Sequence, residues 1–395
     1  MSTDLFAHEN VPLEILKQRA FNYRWAETET DVIPLTAADP DFAVAQEIRT
    51  AMTEYAASGV FSYGPHQGLA EFKQALAIAM SNRRGYDLNP AHILPIDSVA
   101  SGMYIIARTF LNPGDEAIIF DPVDFLFEQS ILAAGGKVIR CPFNYKTGQF
   151  ELEKLPNLVT SKTKIIGVCN PHNPLGRLMS EAELTQIATL SQQHDLWIMN
   201  DEIWSDIVYP RENFCSFHHL DKTLCNRVIS IYGFSKSFGL AGLRVGTIIA
   251  PNQSVYELLV DASHVMTTAG GVATISQVAA TTALNHCWYW VDAFKTHLTE
   301  QRDYAVERLN KMPGISCHSP QATYLLFPSI DKEKYSVEQI LNAFQKEKVL
   351  VVSGDEKFFG PGAAHHFRIC FATSHKILAQ GLDRMAIALD KLENQ

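Results

Sequence analysis

The sequence predicts an α/β protein, and three observations carry that prediction. Short apolar runs of five or six residues recur along the chain, each bounded by Gly, Pro, Asn or Asp. The runs are continuously apolar, which is typical of strands buried on both faces of a parallel sheet. Segments with helical spacing alternate with these runs, which indicates that helices cover both faces of one sheet.

A large domain is predicted over residues 46–275. Segments 66–82 and 181–194 have helical spacing and polar faces. The strand-like runs between such segments are Glu116–Phe120, Lys164–Cys169, Leu196–Asn200, Val228–Tyr232 and Val245–Ala250. In a mainly parallel sheet of this kind the chemistry lies at the carboxyl ends of the strands. Polar residues do follow three of the runs, namely Asn170, Asp201 and Lys236.

The last third of the chain predicts a smaller α+β domain. A long helical stretch covers 276–311, and a closing helix covers 375–392. Between them lie three strand-like runs, Ala322–Pro328, Val349–Ser353 and Phe367–Ala372. The first 45 residues have irregular apolar spacing broken by Pro, so we assign 1–45 together with 276–395 to the small domain.

Composition excludes several classes of protein. The 395 residues carry a net charge of −10, with 47% apolar and 19% charged residues, which is ordinary for a globular protein. An acidic chain without a Lys/Arg-rich run is not expected to bind nucleic acid or an anionic membrane. No apolar run approaches the ~18 residues of a membrane span, and no secretory signal is visible. Seven scattered cysteines without a CxxC pair indicate free thiols and a cytoplasmic location.

Several common motifs are missing. There is no GxGxxG, GxxxxGK[ST] or HExxH sequence, which disfavours nicotinamide oxidoreductases, nucleoside triphosphatases and zinc proteases. The pairs His218-His219 and His365-His366 are adjacent in sequence and their side chains diverge, so no metal site is predicted. Gly233–Ser237 departs from the GxSxG hydrolase motif at its last position.

Four features remain, and each has a structural explanation when taken alone. Asn170–Arg177 reads NPHNPLGR and could be a turn, Asp201 could cap a helix, Lys236 could lie on the surface, and Arg368 could lie on an exposed strand. Their order and spacing together resemble fold type I pyridoxal 5'-phosphate (PLP) enzymes, the class I/II aminotransferase superfamily. The resemblance extends over nearly the whole chain. It implies the fold type I transferase architecture, in which a large PLP-binding domain with a mainly parallel sheet is joined to a small α+β domain.

The resemblance assigns roles to the residues that would contact the PLP ring. Lys236 takes the place of the lysine that forms a Schiff base with the cofactor aldehyde, since only an amine can do so. Asp201 matches the carboxylate that keeps the ring nitrogen protonated. Asn173 matches the amide that faces the phenolic oxygen of the ring and the substrate.

The resemblance also implies residues for the phosphate and for the substrate. Arg244 matches the phosphate-binding cation, and a helix N-terminus supplies amides to a dianion. The substrate α-carboxylate would meet Arg368, whose guanidinium can bind it bidentately, and the backbone amide of Ala38. Tyr63 resembles a tyrosine that reaches the phosphate of the neighbouring subunit, which implies a homodimer with shared active sites. The amides of the phosphate site are expected from Ala100, Ser101 and Gly102.

Three positions depart from the family pattern. Asp124 occupies the usual place of an aromatic residue that stacks on the ring, so either Phe125 stacks after a one-residue shift or Asp124 faces a cationic substrate group. Trp204 replaces a tyrosine, and its indole donates a hydrogen bond but does not titrate. Gly233 replaces a phosphate-binding serine, for which Ser235 or Ser237 could compensate.

Four strings resemble the cystathionine β-lyase (C–S lyase) branch most closely: NPHNPLGR, ADPDF at 38–42, Asp201-Glu202-Ile203 and SPQATYL at 319–325. The resemblance implies an enzyme that deprotonates Cα of a free amino acid and passes through a quinonoid intermediate, as an aminotransferase or a β-eliminating lyase. An alternative is dehydration and cyclisation of a cationic amino acid such as a hydroxyarginine, as in capreomycidine-synthase-like enzymes. A ligand-sensing regulator is disfavoured, because family-like motifs begin within the first 40 residues.

Overall fold

The computed structural model describes residues 4–394. Over that range it contains fifteen strands and thirteen α-helices. The strands are β1 (Ile33–Pro34), β2 (Ile93–Ile96), β3 (Glu116–Asp121), β4 (Lys137–Asn144), β5 (Gln149–Phe150), β6 (Thr163–Cys169), β7 (Trp197–Asp201), β8 (Val228–Gly233), β9 (Gly246–Ile249), β10 (Ile315–Ser316), β11 (Leu325–Leu326), β12 (Ser329–Ile330), β13 (Val349–Leu350), β14 (Val352–Gly354) and β15 (His366–Cys370). The helices are α1 (Leu13–Arg19), α2 (Gln46–Ala57), α3 (Ala70–Arg84), α4 (Val99–Phe110), α5 (Phe125–Ala133), α6 (Leu155–Leu158), α7 (Glu181–Gln193), α8 (Gln253–Ser263), α9 (Thr274–His286), α10 (Trp288–Leu309), α11 (Val337–Lys346), α12 (Glu356–Phe359) and α13 (His375–Glu393).

The central sheet has eight strands in the order β2-β9-β8-β7-β6-β3-β4-β5. The five strands from β8 to β4 run parallel, which confirms the predicted mainly parallel sheet. The predicted run at 245–250 is β9, but it pairs antiparallel with β8 and with β2. The sequence analysis did not predict β2, β4 or β5.

Helices cover both faces of this sheet, and the side chains of β3 and β6 alternate between two cores. Ile119 and Ile165 pack in the core beneath α4, α5 and α8. Ile118 and Ile166 pack in the opposite core beneath α7. Consecutive residues of a strand point to opposite faces, so a strand buried on both faces is apolar throughout.

A smaller sheet lies in the C-terminal part, with the order β10-β12-β15-β11 and with β14 also paired to β15. From the N-terminal segment, β1 pairs in parallel with β13. The stretch predicted as one helix over 276–311 is two helices, α9 and α10, which are interrupted at Cys287. Because α9 packs on α2 and α3, we propose a domain boundary near Cys287, later than the sequence pattern indicates.

Two further properties concern the described residues as a whole. None of their helices combines the length and the apolar character that crossing a membrane requires. All seven cysteines are free thiols, and five of them are buried: Cys141, Cys169, Cys287, Cys317 and Cys370.

Candidate active site

The carboxyl ends of three neighbouring strands meet at one edge of the central sheet. Asn170 follows β6, Asp201 is the last residue of β7, and Lys236 lies three residues beyond the end of β8. The register pairs Cys169 of β6 with Asp201. The topology therefore brings together three of the residues that the sequence singles out.

Lys236 is largely enclosed at this edge. Its Nζ donates a hydrogen bond to the carbonyl of Ala38 at 2.7 Å and lies 5.5 Å from the ring centroid of Trp204. Burial lowers the pKa of the Lys236 amine, and the nearby carboxylate of Asp39 offsets part of that effect. A lysine with a lowered pKa presents more unprotonated amine near neutral pH, as a nucleophile requires.

Asp201 is 5% exposed, and its Oδ1 accepts a hydrogen bond from the amide of Ile203 at 3.0 Å. Within the described residues no Lys, Arg or His side chain forms an ion pair with it. Burial raises the pKa of this carboxyl to about 7. A buried carboxylate without a cation is costly, and a protonated ring nitrogen is a partner that would remove the cost. The site therefore fits a pyridinium group.

The amide of Asn173 links the carboxylate of Asp124 to the guanidinium of Arg368. Its amide nitrogen donates to Oδ2 of Asp124 at 2.8 Å, and its amide oxygen accepts from Nη1 of Arg368 at 3.2 Å. The amide nitrogen carries a second hydrogen, which stays available for another acceptor. The structure thus brings Asn173 and Arg368 together, with Asp124 beside them.

Asp124 also caps helix α5. Its Oδ1 accepts from the amide of Leu126 at 3.1 Å, so both carboxylate oxygens have protein partners. The ring of Phe125 instead meets the ring of Phe358 edge-on, with centroids 6.4 Å apart. The structure therefore places Asp124, rather than Phe125, next to Asn173.

Arg368 is 8% exposed and keeps unused hydrogen-bonding capacity. Its Nη2 donates to the carbonyl of Thr36 at 3.4 Å, and its guanidinium lies 5.2 Å from the ring centroid of Phe359. Its Nε is buried and has no partner among the described residues. Burial lowers the pKa of this guanidinium, an effect that Asp124 counters. A planar cation with unsatisfied N–H groups is suited to a carboxylate.

The turn that precedes α2 brings Ala38 to the same place. The Ala38 carbonyl accepts from Nζ of Lys236 and from the hydroxyl of Tyr324 at 3.2 Å. Its amide has no acceptor among the residues that the structure describes. The free amide agrees with the expectation that Ala38 faces a carboxylate. Tyr324, which the sequence analysis did not single out, lies within the SPQATYL string.

The N-terminus of α4 differs from the expected amide cradle. The amide of Ser101 donates to the Ser98 hydroxyl at 3.1 Å, and that of Gly102 donates to the Ser98 carbonyl at 3.1 Å. Of the three expected residues, only Ala100 has an amide without an acceptor among residues 4–394. The amide of Val99, one residue earlier, also has none there. Ser98 caps the helix and engages the amides of Ser101 and Gly102, so the free amides lie at the start of the helix.

Gly233 is explained by lack of space. A Cβ at this position would lie 2.7 Å from Cγ2 of Val99, so a serine requires the side chain of Val99 to shift. Ser237 is already bound, since its hydroxyl donates to Asp206 at 2.6 Å. The hydroxyl of Ser235 has no described partner, which favours Ser235 over Ser237 as the compensating residue.

Arg244 and Tyr63 lie at the surface. Arg244 is exposed with a left-handed backbone (φ 50°), and no ion pair engages it in the described part of the chain. Tyr63 is 89% exposed. It lines a groove of about 600 Å³ between 61–66 and the segment that precedes α9. Trp204 is buried, and its ring meets that of Tyr324 edge-on with centroids 4.6 Å apart.

Comparison with known proteins gives consistent matches. A family model described as aminotransferase class I and II matches residues 30–385. A relative named putative aminotransferase YugH, from Bacillus subtilis (strain 168), is 33% identical over 374 residues, which cover 93% of this chain and 94% of the relative.

Two solved structures are similar over nearly their full length. The aromatic aminotransferase from Pyrococcus horikoshii OT3 has a TM-score of 0.85 and 28% identity, covering 93% of this chain and 98% of that one. A putative PLP-dependent β-cystathionase from Corynebacterium diphtheriae has a TM-score of 0.87 and 26% identity, covering 98% and 99%.

Proposed function

The chain belongs to the class I and II aminotransferase family, and we propose from this membership that it is a PLP-dependent enzyme acting on a free α-amino acid. The observation that carries the proposal is the pair of Lys236 and Asp201 at neighbouring strand ends. One supplies an enclosed amine, and the other a buried carboxylate that lacks a cation. When bound, PLP supplies an aldehyde that condenses with amines and a ring that withdraws electrons from Cα of the substrate.

Each protein group that would hold the cofactor has a chemical group suited to one part of it. Lys236 would engage the aldehyde, Asp201 the ring nitrogen, and the second amide hydrogen of Asn173 the phenolic oxygen. The phosphate is a dianion and requires both a cation and amide donors. Its proposed partners are Arg244, Ser235, and the amides of Val99 and Ala100.

The substrate carboxylate is proposed to bind between Arg368 and Ala38. The guanidinium has a buried N–H without a partner, and the Ala38 amide has no acceptor in the described chain. Lys236 Nζ donates to the carbonyl of the same Ala38. A substrate held by its carboxylate at this point would present its Cα hydrogen to Lys236, which would take that proton as a general base.

Amino-group transfer is the reaction that we propose first, because the relative that is 33% identical is named a putative aminotransferase. β-Elimination of a sulfur leaving group is the second candidate, favoured by the similarity to the putative β-cystathionase and by the C–S lyase-like strings. Cyclisation of a cationic amino acid has less support, because both oxygens of Asp124 already accept hydrogen bonds from the protein.

The test is a product analysis of PLP-loaded protein by mass spectrometry. The protein is incubated with common amino acids plus 2-oxoglutarate, with cystathionine, and with γ-hydroxyarginine. Glutamate formed from 2-oxoglutarate supports transfer, whereas pyruvate and ammonia from cystathionine support elimination. Loss of water from γ-hydroxyarginine without the other products would instead restore the cyclisation hypothesis. Absence of a PLP absorption band in the purified protein would contradict the proposal as a whole.

We also propose a homodimer whose subunits share active sites. Tyr63 and Phe61 are 89% and 66% exposed and line the same groove. Exposed aromatic residues beside a groove are typical of a surface that a partner covers. Light scattering should give a mass of two chains, and Tyr63→Phe should weaken PLP binding if its hydroxyl reaches the partner's phosphate. A monomer would contradict the proposal. A cytoplasmic location, supported by seven unpaired thiols, remains part of the proposal.

A further inference from the structure

Arg24 is a buried cation outside the groups proposed to react. Its side chain is 2% exposed and forms an ion pair with Asp41, which is equally buried. Its Nη1 also donates to the carbonyls of Pro34 at 3.0 Å and Ala37 at 3.3 Å. One guanidinium therefore contacts both ends and the middle of the turn at 34–41.

Every carbonyl from residue 34 to residue 38 is held by a donor. Besides the two contacts from Arg24, the carbonyls of Leu35 and Thr36 accept from the Cys370 amide and from Arg368, and that of Ala38 accepts from Lys236 and Tyr324. The donors come from the N-terminal segment, from β15, from the segment before β11 and from the loop after β8. The turn is thus the meeting point of both domains at the site.

Unlike the carbonyls, the amides of the turn are not all hydrogen-bonded. The Leu35 amide donates to Leu350, and the Asp41 amide donates to Ala372. The Ala38 amide has no acceptor within residues 4–394. Arg24 binds the carbonyl of Ala37, which belongs to the same peptide group as that amide. Movement of the Ala37 carbonyl would therefore turn the Ala38 amide away from its present direction.

We propose that Arg24 is a positioning residue that orients the Ala38 amide so that it and Arg368 form one carboxylate-binding site. The inference rests on the proposed substrate-carboxylate site. Arg24 does not contact the reacting atoms and acts through the turn. The planar fork of a guanidinium can bind Asp41 and two carbonyls at fixed angles, whereas a lysine offers one compact charge.

A role in stability alone is the competing explanation. Replacing a whole buried ion pair by well-packed apolar residues is often neutral for stability, whereas removing one partner is destabilising, so stability has to be measured beside ligand binding. Trp25 also donates to the same oxygen of Asp41, at 2.8 Å. Asp41 would therefore keep one donor after loss of the guanidinium. The two carbonyl contacts, in contrast, have no substitute donor among the described residues except the short-range contact of the Asp39 amide with Ala37.

The test compares Arg24→Lys and Arg24→Met with wild type and with Arg308→Met. Arg308 ties α10 to α13 through Asp383 at 2.6 Å and serves as an arginine ion-pair control outside the turn. Two dissociation constants are measured on each purified protein: that of PLP, from its absorbance, and that of propionate, from the change it causes in the PLP spectrum. Propionate is a probe for the carboxylate site alone. Melting temperatures are recorded in parallel.

We expect Arg24→Met to weaken propionate binding by about tenfold or more and Arg24→Lys to weaken it by a smaller factor. PLP binding should change by less than about twofold, and Arg308→Met should change neither constant. The KM of any amino acid that wild type converts should rise with little change in kcat. Unchanged propionate binding in a folded Arg24→Lys protein would overturn the inference. Loss of folding in both variants, or parallel loss of PLP and propionate binding, would overturn it as well.

Failure of the underlying proposal gives a different result. If wild-type protein shows no PLP absorbance, the proposed function is wrong, and if it binds PLP but not propionate, the proposed carboxylate site is wrong. In the latter case Arg368→Lys would also leave the PLP spectrum insensitive to propionate. The Arg24 variants are therefore informative only if the wild-type protein binds both PLP and propionate.

Discussion

Oδ2 of Asp124 accepts a hydrogen bond from Nδ2 of Asn173 at 2.8 Å. This contact fixes the amide that, in turn, accepts from Arg368. The Asp124 carboxylate, the Asn173 amide and the Arg368 guanidinium are therefore linked by consecutive hydrogen bonds, and the bond to Asp124 fixes the orientation of the Asn173 amide nitrogen. The same carboxylate caps α5 through its other oxygen. Burial raises the pKa of this carboxyl, and its two hydrogen-bond donors offset part of that effect.

Asp124→Asn and Asp124→Leu separate the two functions of this side chain. Asparagine is as good a helix cap as aspartate, whereas loss of the cap costs about 1 kcal/mol. We expect Asp124→Leu to lower the melting temperature and Asp124→Asn to leave it nearly unchanged. Both should reduce turnover uniformly across substrates, because the carboxylate is already bound by the protein. A selective loss for arginine-like substrates would show instead that Asp124 contacts a cationic side chain.

Lys236→Ala should abolish covalent attachment of PLP and reduce turnover by about a thousandfold or more, since it removes both a nucleophile and a proposed general base. The measurement is the visible absorbance of the protein after dialysis. Lys346→Ala, at an exposed position on α11, is the control and should behave as wild type. Retention of the absorption band in Lys236→Ala would contradict the lysine assignment.

Asp201 should make the stability of the cofactor-free protein depend on pH. Its pKa is about 7 in the folded protein and about 4 in the unfolded chain. The folded state therefore holds the proton more tightly, and stability falls as pH rises from about 4 to about 7, by at most ~1.4 kcal/mol per pH unit. Above pH 7 the loss is complete and constant.

Thermal melts of cofactor-free wild type and Asp201→Asn over this range check that dependence. The melting temperature of wild type should drop relative to that of the variant as pH rises to about 7, and PLP should reduce the difference in wild type because a ring cation pairs with the carboxylate. A constant difference from pH 4 to pH 8 would mean that Asp201 is already ionised at low pH. That outcome would remove the argument for a cationic partner.

Arg368→Ala should raise the KM of α-amino acids by about ten- to a hundredfold, because a hydrogen bond to a charged group is worth about 1.5–3 kcal/mol. Arg368→Lys should give an intermediate effect, since it keeps the charge but loses the fork. Steady-state kinetics on the best substrate from the product screen provides the measurement. Equal KM values for wild type and Arg368→Ala would exclude Arg368 from carboxylate binding.

Gly233→Ser tests why the family serine is missing here. The new Cβ would lie 2.7 Å from Val99, and overpacking of this kind costs about 1–3 kcal/mol. We expect a lower melting temperature without tighter PLP binding. Adding Val99→Ala should recover part of the loss relative to Val99→Ala alone. A Gly233→Ser protein that is as stable as wild type and binds PLP more tightly would contradict this explanation.

The sequence predicted β3, β6, β7 and β8 of the central sheet, because these strands are buried on both faces and are mostly apolar, whereas it missed β2, β4 and β5. β9 was found but given no direction, since pairing direction leaves little trace in a short apolar run. The break at Cys287 was missed because α9 and α10 are both helical in pattern, and no Gly or Pro separates them. Their different packing partners become visible only in three dimensions.

The clustering of Lys236 and Asp201 was predictable, because both residues lie at or just after the ends of neighbouring strands of a parallel sheet. The site was less predictable where backbone groups act. The amide of Ser101 is engaged by the side chain of Ser98 and that of Gly102 by its carbonyl, whereas the family resemblance implied amides at 100–102. Arg24 carried no motif signal, because its importance comes from carbonyls that any residue could provide.

The seven free thiols can report local opening of the structure through their reaction with a thiol reagent. Five are buried, so a thiol reagent can reach them only when the surrounding structure separates, and the labelling rate then measures how often it does. Cys169 lies 4.0 Å from Oδ2 of Asp201, and Cys317 and Cys370 lie in the C-terminal part of the chain. Measuring the labelling rate of each cysteine-containing peptide would therefore distinguish local opening at the edge of the central sheet near Asp201 from local opening of the smaller sheet. No engineered label is needed.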